Sequence, residues 1–217
     1  MIRVLIADDH AIVREGLKQI LLRALDFDIG GEAGNGHEVL EKVRAETWDL
    51  LLLDMSMPGR SGIELIRLIK AERPRLPILV LTMHAEEQYA VRAFRAGASG
   101  YLTKESAPLE LVSAARKVAE GGVYVSPATA ERMALSISQP DQTLPHQRLS
   151  DREFEVFRMI VAGMTVTEMA ERLVLSVKTV STHKARILQK MQMQNQADLI
   201  HYAVRHNLIE GSDSAGP

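Results

Sequence analysis

Leu50-Leu51-Leu52-Leu53-Asp54, four leucines closed by an acid, decides how this chain folds. Successive strand side chains point to opposite faces, so four leucines in a row need apolar cover on both sides. Sheets covered on both faces are the parallel sheets of α/β domains, with helices above and below. Asp54 then stands at the C-terminal end of a buried strand, the edge where open α/β sheets bind ligands.

Outward from this run the same arrangement recurs. Val4-Leu5-Ile6-Ala7 precedes Asp8-Asp9, and Gly100-Tyr101-Leu102-Thr103 precedes Lys104. The patterning predicts strands at 2–7, 28–33, 49–53, 77–81 and 99–102, with helices at 11–24, 36–46, 62–73, 86–96 and 107–119. Five such units define a doubly wound, five-stranded parallel sheet. Three carboxylates and a lysine therefore meet at one sheet edge. Clustered like charges raise a carboxyl pKa or hold a cation. Mg²⁺ suits oxygen ligands of this kind and is usually completed by water and phosphate oxygens. The pocket is expected to accept a phosphoryl group, which leaves both a phosphate-storing protein and a hydrolase open.

The 217 residues have a formal net charge of −2 and 46% hydrophobic content, ordinary for a globular protein of one or two domains. No apolar stretch reaches the length of a membrane span, and Met1-Ile2-Arg3-Val4 runs directly into a strand without a signal-peptide layout, so a cytoplasmic protein is expected. Lack of cysteine excludes disulfides, thiolate metal sites and cysteine nucleophiles.

Gly121-Gly122 closes the last helix of the first domain, expected to span 1–121. A linker is expected over 122–147: Pro127 opens a short helix at 127–137, and the polar, proline-bearing stretch from Ser138 to Gln147 carries the domain boundary. Beyond it four helices are signalled. Ser150-Asp151-Arg152-Glu153 and Thr165-Val166-Thr167-Glu168 are capping boxes, stapled by Leu149 with Phe154 and by Met164 with Met169. Ser176 can cap a third helix at 177–191, and a fourth follows at 196–206. This helical domain covers 148–210, with a frayed tail at 211–217.

The second and third helices make a helix-turn-helix over 166–185. Val177, Val180, Ile187, Leu188 and Met191 recur at helical spacing and are expected to pack inward. Lys178, Ser181, Thr182, Ala185, Arg186 and Gln189 fall opposite. Residues 172–197 hold Arg172, Lys178, Lys184, Arg186 and Lys190 but no acid. Hydroxyls and amides flanked by cations suit a helix in a DNA major groove.

Taken together, these residues resemble the two-component response regulators of the NarL/FixJ family over nearly the whole chain. The matching positions are Asp8-Asp9, Asp54 in Asp-Met-Ser-Met-Pro-Gly-Arg-Ser-Gly, Thr82, Lys104, Leu149-Ser150-Asp151-Arg152-Glu153 and Lys178-Thr179-Val180-Ser181-Thr182-His183. The resemblance implies a flavodoxin-like receiver followed by a LuxR-type DNA-binding domain. It implies that Asp54 takes a phosphoryl group from a sensor histidine kinase. Mg²⁺ would be held by Asp8, Asp9, Asp54 and the Ser56 backbone carbonyl. Lys104 and Thr82 would contact the phosphoryl group, and Tyr101 would change rotamer as a switch. Lys178, Ser181, Thr182, Lys184, Arg186 and Gln189 would meet DNA as part of a homodimer on promoter half-sites. Ser56 and His84 stand where relatives tune dephosphorylation, and Ala185 lacks the basic or amide side chain common there. The implied protein is a transcriptional regulator, not a turnover enzyme. A phosphosignalling adaptor whose helical domain binds a protein is the alternative.

Overall fold

The computed structural model describes residues 1–57, 62–83, 87–127, 129–131, 144–206 and 208. Within them the chain forms two compact units, Met1–Ser138 and Gln139–Pro217. In the first, strands β1 (Ile2–Ala7), β2 (Phe27–Ala33), β3 (Leu50–Asp54), β4 (Ile78–Thr82) and β5 (Gly100–Thr103) alternate with helices α1 (Ala11–Leu22), α2 (Gly36–Ala45), α3 (Gly62–Glu72), α4 (Glu87–Ala96) and α5 (Ala107–Ala119).

The sheet is parallel, with order β2-β1-β3-β4-β5-β6. The sixth strand, β6 (Tyr124–Val125), corrects the expected five-stranded sheet and lies inside the segment read as a linker. Two residues carry no periodicity for sequence to reveal. Gly100 lets α5 close on the sheet: a Cβ there would lie 2.7 Å from Leu79 Cδ1 and 2.8 Å from Val118 Cγ2. The predicted helix 127–137 falls mostly outside the described residues; 127 and 129–131 are helical.

Leucine alternation in β3 works as the sequence requires. Leu50 and Leu52 join Val4, Ile6, Leu79, Leu81 and Leu102 under α1 and α5, through Leu17, Leu21, Leu111 and Val118. Leu51 and Leu53, equally buried, point to the other face. The lone tryptophan, Trp48, is 8% exposed just before β3. Its indole donates to the Lys42 carbonyl at 3.1 Å, and the Arg3 guanidinium sits 4.7 Å from the ring centroid.

The second unit begins with a 3₁₀ turn, Pro145–Arg148, again within the segment read as linker, and continues with α6 (Asp151–Val161), α7 (Val166–Leu173), α8 (Val177–Met191) and α9 (Gln196–Arg205). Both predicted capping boxes close as hydrogen-bonded pairs, and Asn195 with Asp198 forms a third at the start of α9. Phe154, Phe157, Ile160, Leu173, Val180, Ile187, Met191 and Leu199 make the core. The tail at 211–217 lies outside the described residues.

Candidate functional site

At the C-terminal sheet edge, β1, β3 and β5 deliver their polar residues to one place. Asp8 is fully buried, Asp54 is 1% exposed, and Lys104 Nζ lies 2.6 Å from Asp8 Oδ2 and 3.2 Å from Asp54 Oδ1. The Lys104 amide donates to the Thr82 carbonyl at 2.7 Å, which extends the β4–β5 pairing and fixes where the lysine leaves the sheet. Asp8 Oδ1 accepts from the His10 amide at 2.8 Å, and Arg14 Nη1 donates to the Asp8 carbonyl at 2.6 Å. Arg14 is anchored in turn on Glu32 of β2 at 3.0 Å. The turn carrying both aspartates is therefore tied to α1 and to the neighbouring strand.

Burial pushes the Asp54 carboxyl above the usual carboxylate range; Lys104 opposes this and the Asp8 charge adds to it. The buried oxygens of Asp8, Asp9 and Asp54 set three carboxylates against one lysine, Lys104, with the Ser56 backbone also hydrogen-bonded to Asp54. Desolvated carboxylate oxygens of this kind are relieved by a cation, so the donor set fits a hard divalent ion. Asp8, Asp9 and His10 bring their ligand atoms within 4.8 Å of one another. His10, whose place after the acids fits a Mg²⁺-proximal residue but more simply a capping or solvent-facing one, is 67% exposed in its side chain, with Nδ1 2.9 Å from Asp9 Oδ1. It is a neighbour in sequence, but only the folded turn shows its ring facing the acids.

Thr82 and Tyr101 are both fully buried, Thr82 at the end of β4 beside the Asp54 strand and Tyr101 one strand further, on β5 opposite Val80. Ser56 is half-buried in the turn that follows Asp54. His84 lies outside the described residues.

In the second unit, Lys178, Ser181, Thr182, Arg186 and Gln189 are all exposed on α8, as expected. Lys184 departs from this: it is half-buried and its Nζ donates to Gln196 Oε1 on α9 at 2.7 Å. Lys190 likewise reaches back to Glu153 at 2.6 Å. Val177 is 50% exposed instead of packed inward, because as the first residue of α8 it overhangs the core. His183, which belongs to neither face cleanly, is half-buried; its burial, with Arg152 nearby, holds its pKa below the usual histidine value.

A parallel sheet with buried acids and a lysine at its C-terminal edge, followed by a capped helix-turn-helix, defines a phosphate-handling domain joined to a DNA-binding one. Family comparisons find both domain types in this order. Residues 4–116 match the response regulator receiver domain, and 147–203 match the bacterial regulatory proteins of the luxR family. The chain belongs to the response regulators of the NarL/FixJ family, transcription regulators that join a receiver to a LuxR-type DNA-binding domain. It is 40% identical to the response regulator UvrY of Escherichia coli K12 over 209 residues, 96% of each chain. To GacA of Pseudomonas aeruginosa it is 35% identical over 213 residues, covering 98% of this chain and all of the relative. Among solved structures, RcsB of Salmonella enterica serovar Typhimurium bound to promoter rprA with phosphomimetic BeF3- is similar. Its TM-score is 0.69 at 30% identity, over 93% of this chain and 97% of that one. No helix among the described residues is long and apolar enough to cross a membrane.

Proposed function

We propose that Asp54 is the phosphoacceptor of a sensor histidine kinase and that its phosphorylation governs promoter binding by the second unit. The observation that carries this is Lys104, bridging two desolvated carboxylates at one sheet edge. An Asp54 carboxylate oxygen attacks phosphorus, the P–N bond to the kinase histidine breaks, and the imidazole leaves with the bond electrons. Asp54 is fixed by β3 and shielded from water, so its nucleophilic oxygen is held in place. Lys104 faces a phosphoryl oxygen and offsets charge as it develops. Asp8, Asp9, Asp54 and the Ser56 carbonyl would hold Mg²⁺, which neutralises phosphoryl oxygens when bound. Thr82 presents its hydroxyl to the stored phosphoryl group, and Tyr101 on the adjacent strand follows its movement.

The same reading covers the rest of the chain. A receiver at 1–121 and an output domain at 148–210 are joined by 122–147. Lys178 and Arg186 meet phosphates, while Ser181, Thr182 and Gln189 meet base edges. Lys184 serves α9 first and DNA second. The protein works in the cytoplasm as a homodimer on paired half-sites, as symmetric helix-turn-helix regulators do. It stores phosphate and does not turn over substrate.

Two measurements test it. Wild type treated with a small phosphodonor and Mg²⁺ gains one phosphate, and Asp54→Asn gains none; equal uptake rates refute the nucleophile. Lys178→Ala lowers the slope of log affinity against log salt by about one if that lysine neutralises a phosphate. An unchanged slope removes Lys178 from the interface.

A further inference from the structure

The exposed side chains at the start of α8 carry a chemical preference that the helix-turn-helix assignment does not itself contain. Val177 is 50% exposed at the first position of the helix, and Val174, in the preceding turn, is 74% exposed. Cα–Cβ bonds in a helix tilt toward its N-terminus, so first-turn side chains lead a recognition helix toward the base edges. The polar groups around Val177 are already committed. Ser176 Oγ accepts the Thr179 amide at 3.0 Å and lies 2.8 Å from the Thr179 hydroxyl. One turn on, along the same strip, Ser181 Oγ donates to the Val177 carbonyl at 2.9 Å. Its proton is spent on the backbone, and what faces outward is an acceptor. Thr182 is bound in the same way to the Lys178 carbonyl, also at 2.9 Å.

The strip running from Val177 to Ser181 therefore offers methyl groups followed by an acceptor oxygen. In the major groove an A·T pair presents the thymine C5-methyl and the adenine N6 amine, a donor. Guanine presents two acceptors, N7 and O6, which would confront the Ser181 oxygen. We propose that Val177 is a specificity-determining residue that reads thymine through its C5-methyl, with Ser181 accepting from an adjacent adenine amine. This rests on the reading of α8 as the major-groove helix.

Deoxyuridine, which differs from thymidine only by that methyl, supplies the test. Half-sites are selected from a random duplex pool with the full chain, phosphodonor and Mg²⁺, and each thymine is then replaced singly by deoxyuridine. At one thymine per half-site wild type loses about fourfold in affinity, roughly what one buried methyl group contributes. Val177→Ala loses a similar factor on the thymine duplex and is indifferent to the replacement. The two changes are thus coupled in a double-mutant cycle. Val177→Ile, still β-branched, retains the discrimination, which separates loss of the methyl contact from loss of the fold.

Salt-dependent binding in which every deoxyuridine duplex matches its thymine parent overturns the assignment. So does an equal loss in wild type and Val177→Ala, or a selected pool with no fixed thymine. Absence of any salt-dependent duplex binding fails the groove reading itself, and the proposal with it. An exposed valine used instead between protein copies would show as Val177→Ala weakening self-association with the deoxyuridine effect intact, which also overturns it.

Discussion

Val174 adopts φ 53°, ψ 47°, the left-handed region, at the end of α7. That conformation crowds a Cβ, and most of all a β-branched one, at a cost of about 1–2 kcal/mol. The turn needs it: the Val174 and Leu175 amides donate to the Glu171 and Ala170 carbonyls, closing the helix end. Asparagine tolerates this region, so Val174→Asn is expected to stabilise the second unit by ~1 kcal/mol in urea unfolding. A lower midpoint would mean that the valine side chain contributes more than its backbone costs. Other single residues are legible in the sequence. Asp8, Asp54 and Lys104 end buried strands, and parallel topology brings such ends together. Arg14 is not, because its role arises only when the β1–α1 turn folds back on Asp8 and on Glu32.

Among elements, α6 shows how a local signal becomes a tertiary one. Glu153 completes its capping box by accepting from the Ser150 amide at 2.8 Å, and the same oxygen takes Lys190 of α8 at 2.6 Å. Burial alone would push its carboxyl up, but Lys190 and Ser150 outweigh this and hold it below the usual range. Stability from a depressed carboxyl pKa is present above the unfolded value, about 4.3 for glutamate, and is lost as pH falls through the folded value. The second unit should therefore lose stability in acid more steeply in wild type than in Glu153→Gln. Parallel curves would show that the charge is not what Lys190 and the cap use. Capping boxes were readable because three residues of sequence contain them. β6 and the Lys184–Gln196 contact were not, since one is only two residues long and the other depends on how α8 meets α9. Helical spacing also sent Val177 inward, because periodicity does not register where a core ends.

At the scale of the whole molecule, two units each enclose their own core, Met1–Ser138 around the sheet and Gln139–Pro217 around the helix-turn-helix. That division was legible in the change from alternating apolar runs to purely helical spacing. The division falls at Ser138, where the polar stretch to Gln147 begins, whereas β6 in the first unit and the 3₁₀ turn at Pro145–Arg148 in the second are too short to carry a pattern. Trp48, held under Arg3 at the sheet edge remote from Asp54, is the sole indole in the chain. The protein therefore carries a built-in fluorophore that sees one unit only. In a urea titration its emission reports the sheet domain, while far-ultraviolet ellipticity sums helices from both. Val174→Asn should move the ellipticity profile and leave the emission midpoint where it was, so the two signals separate the energetics of signal reception from those of DNA reading in one unlabelled sample.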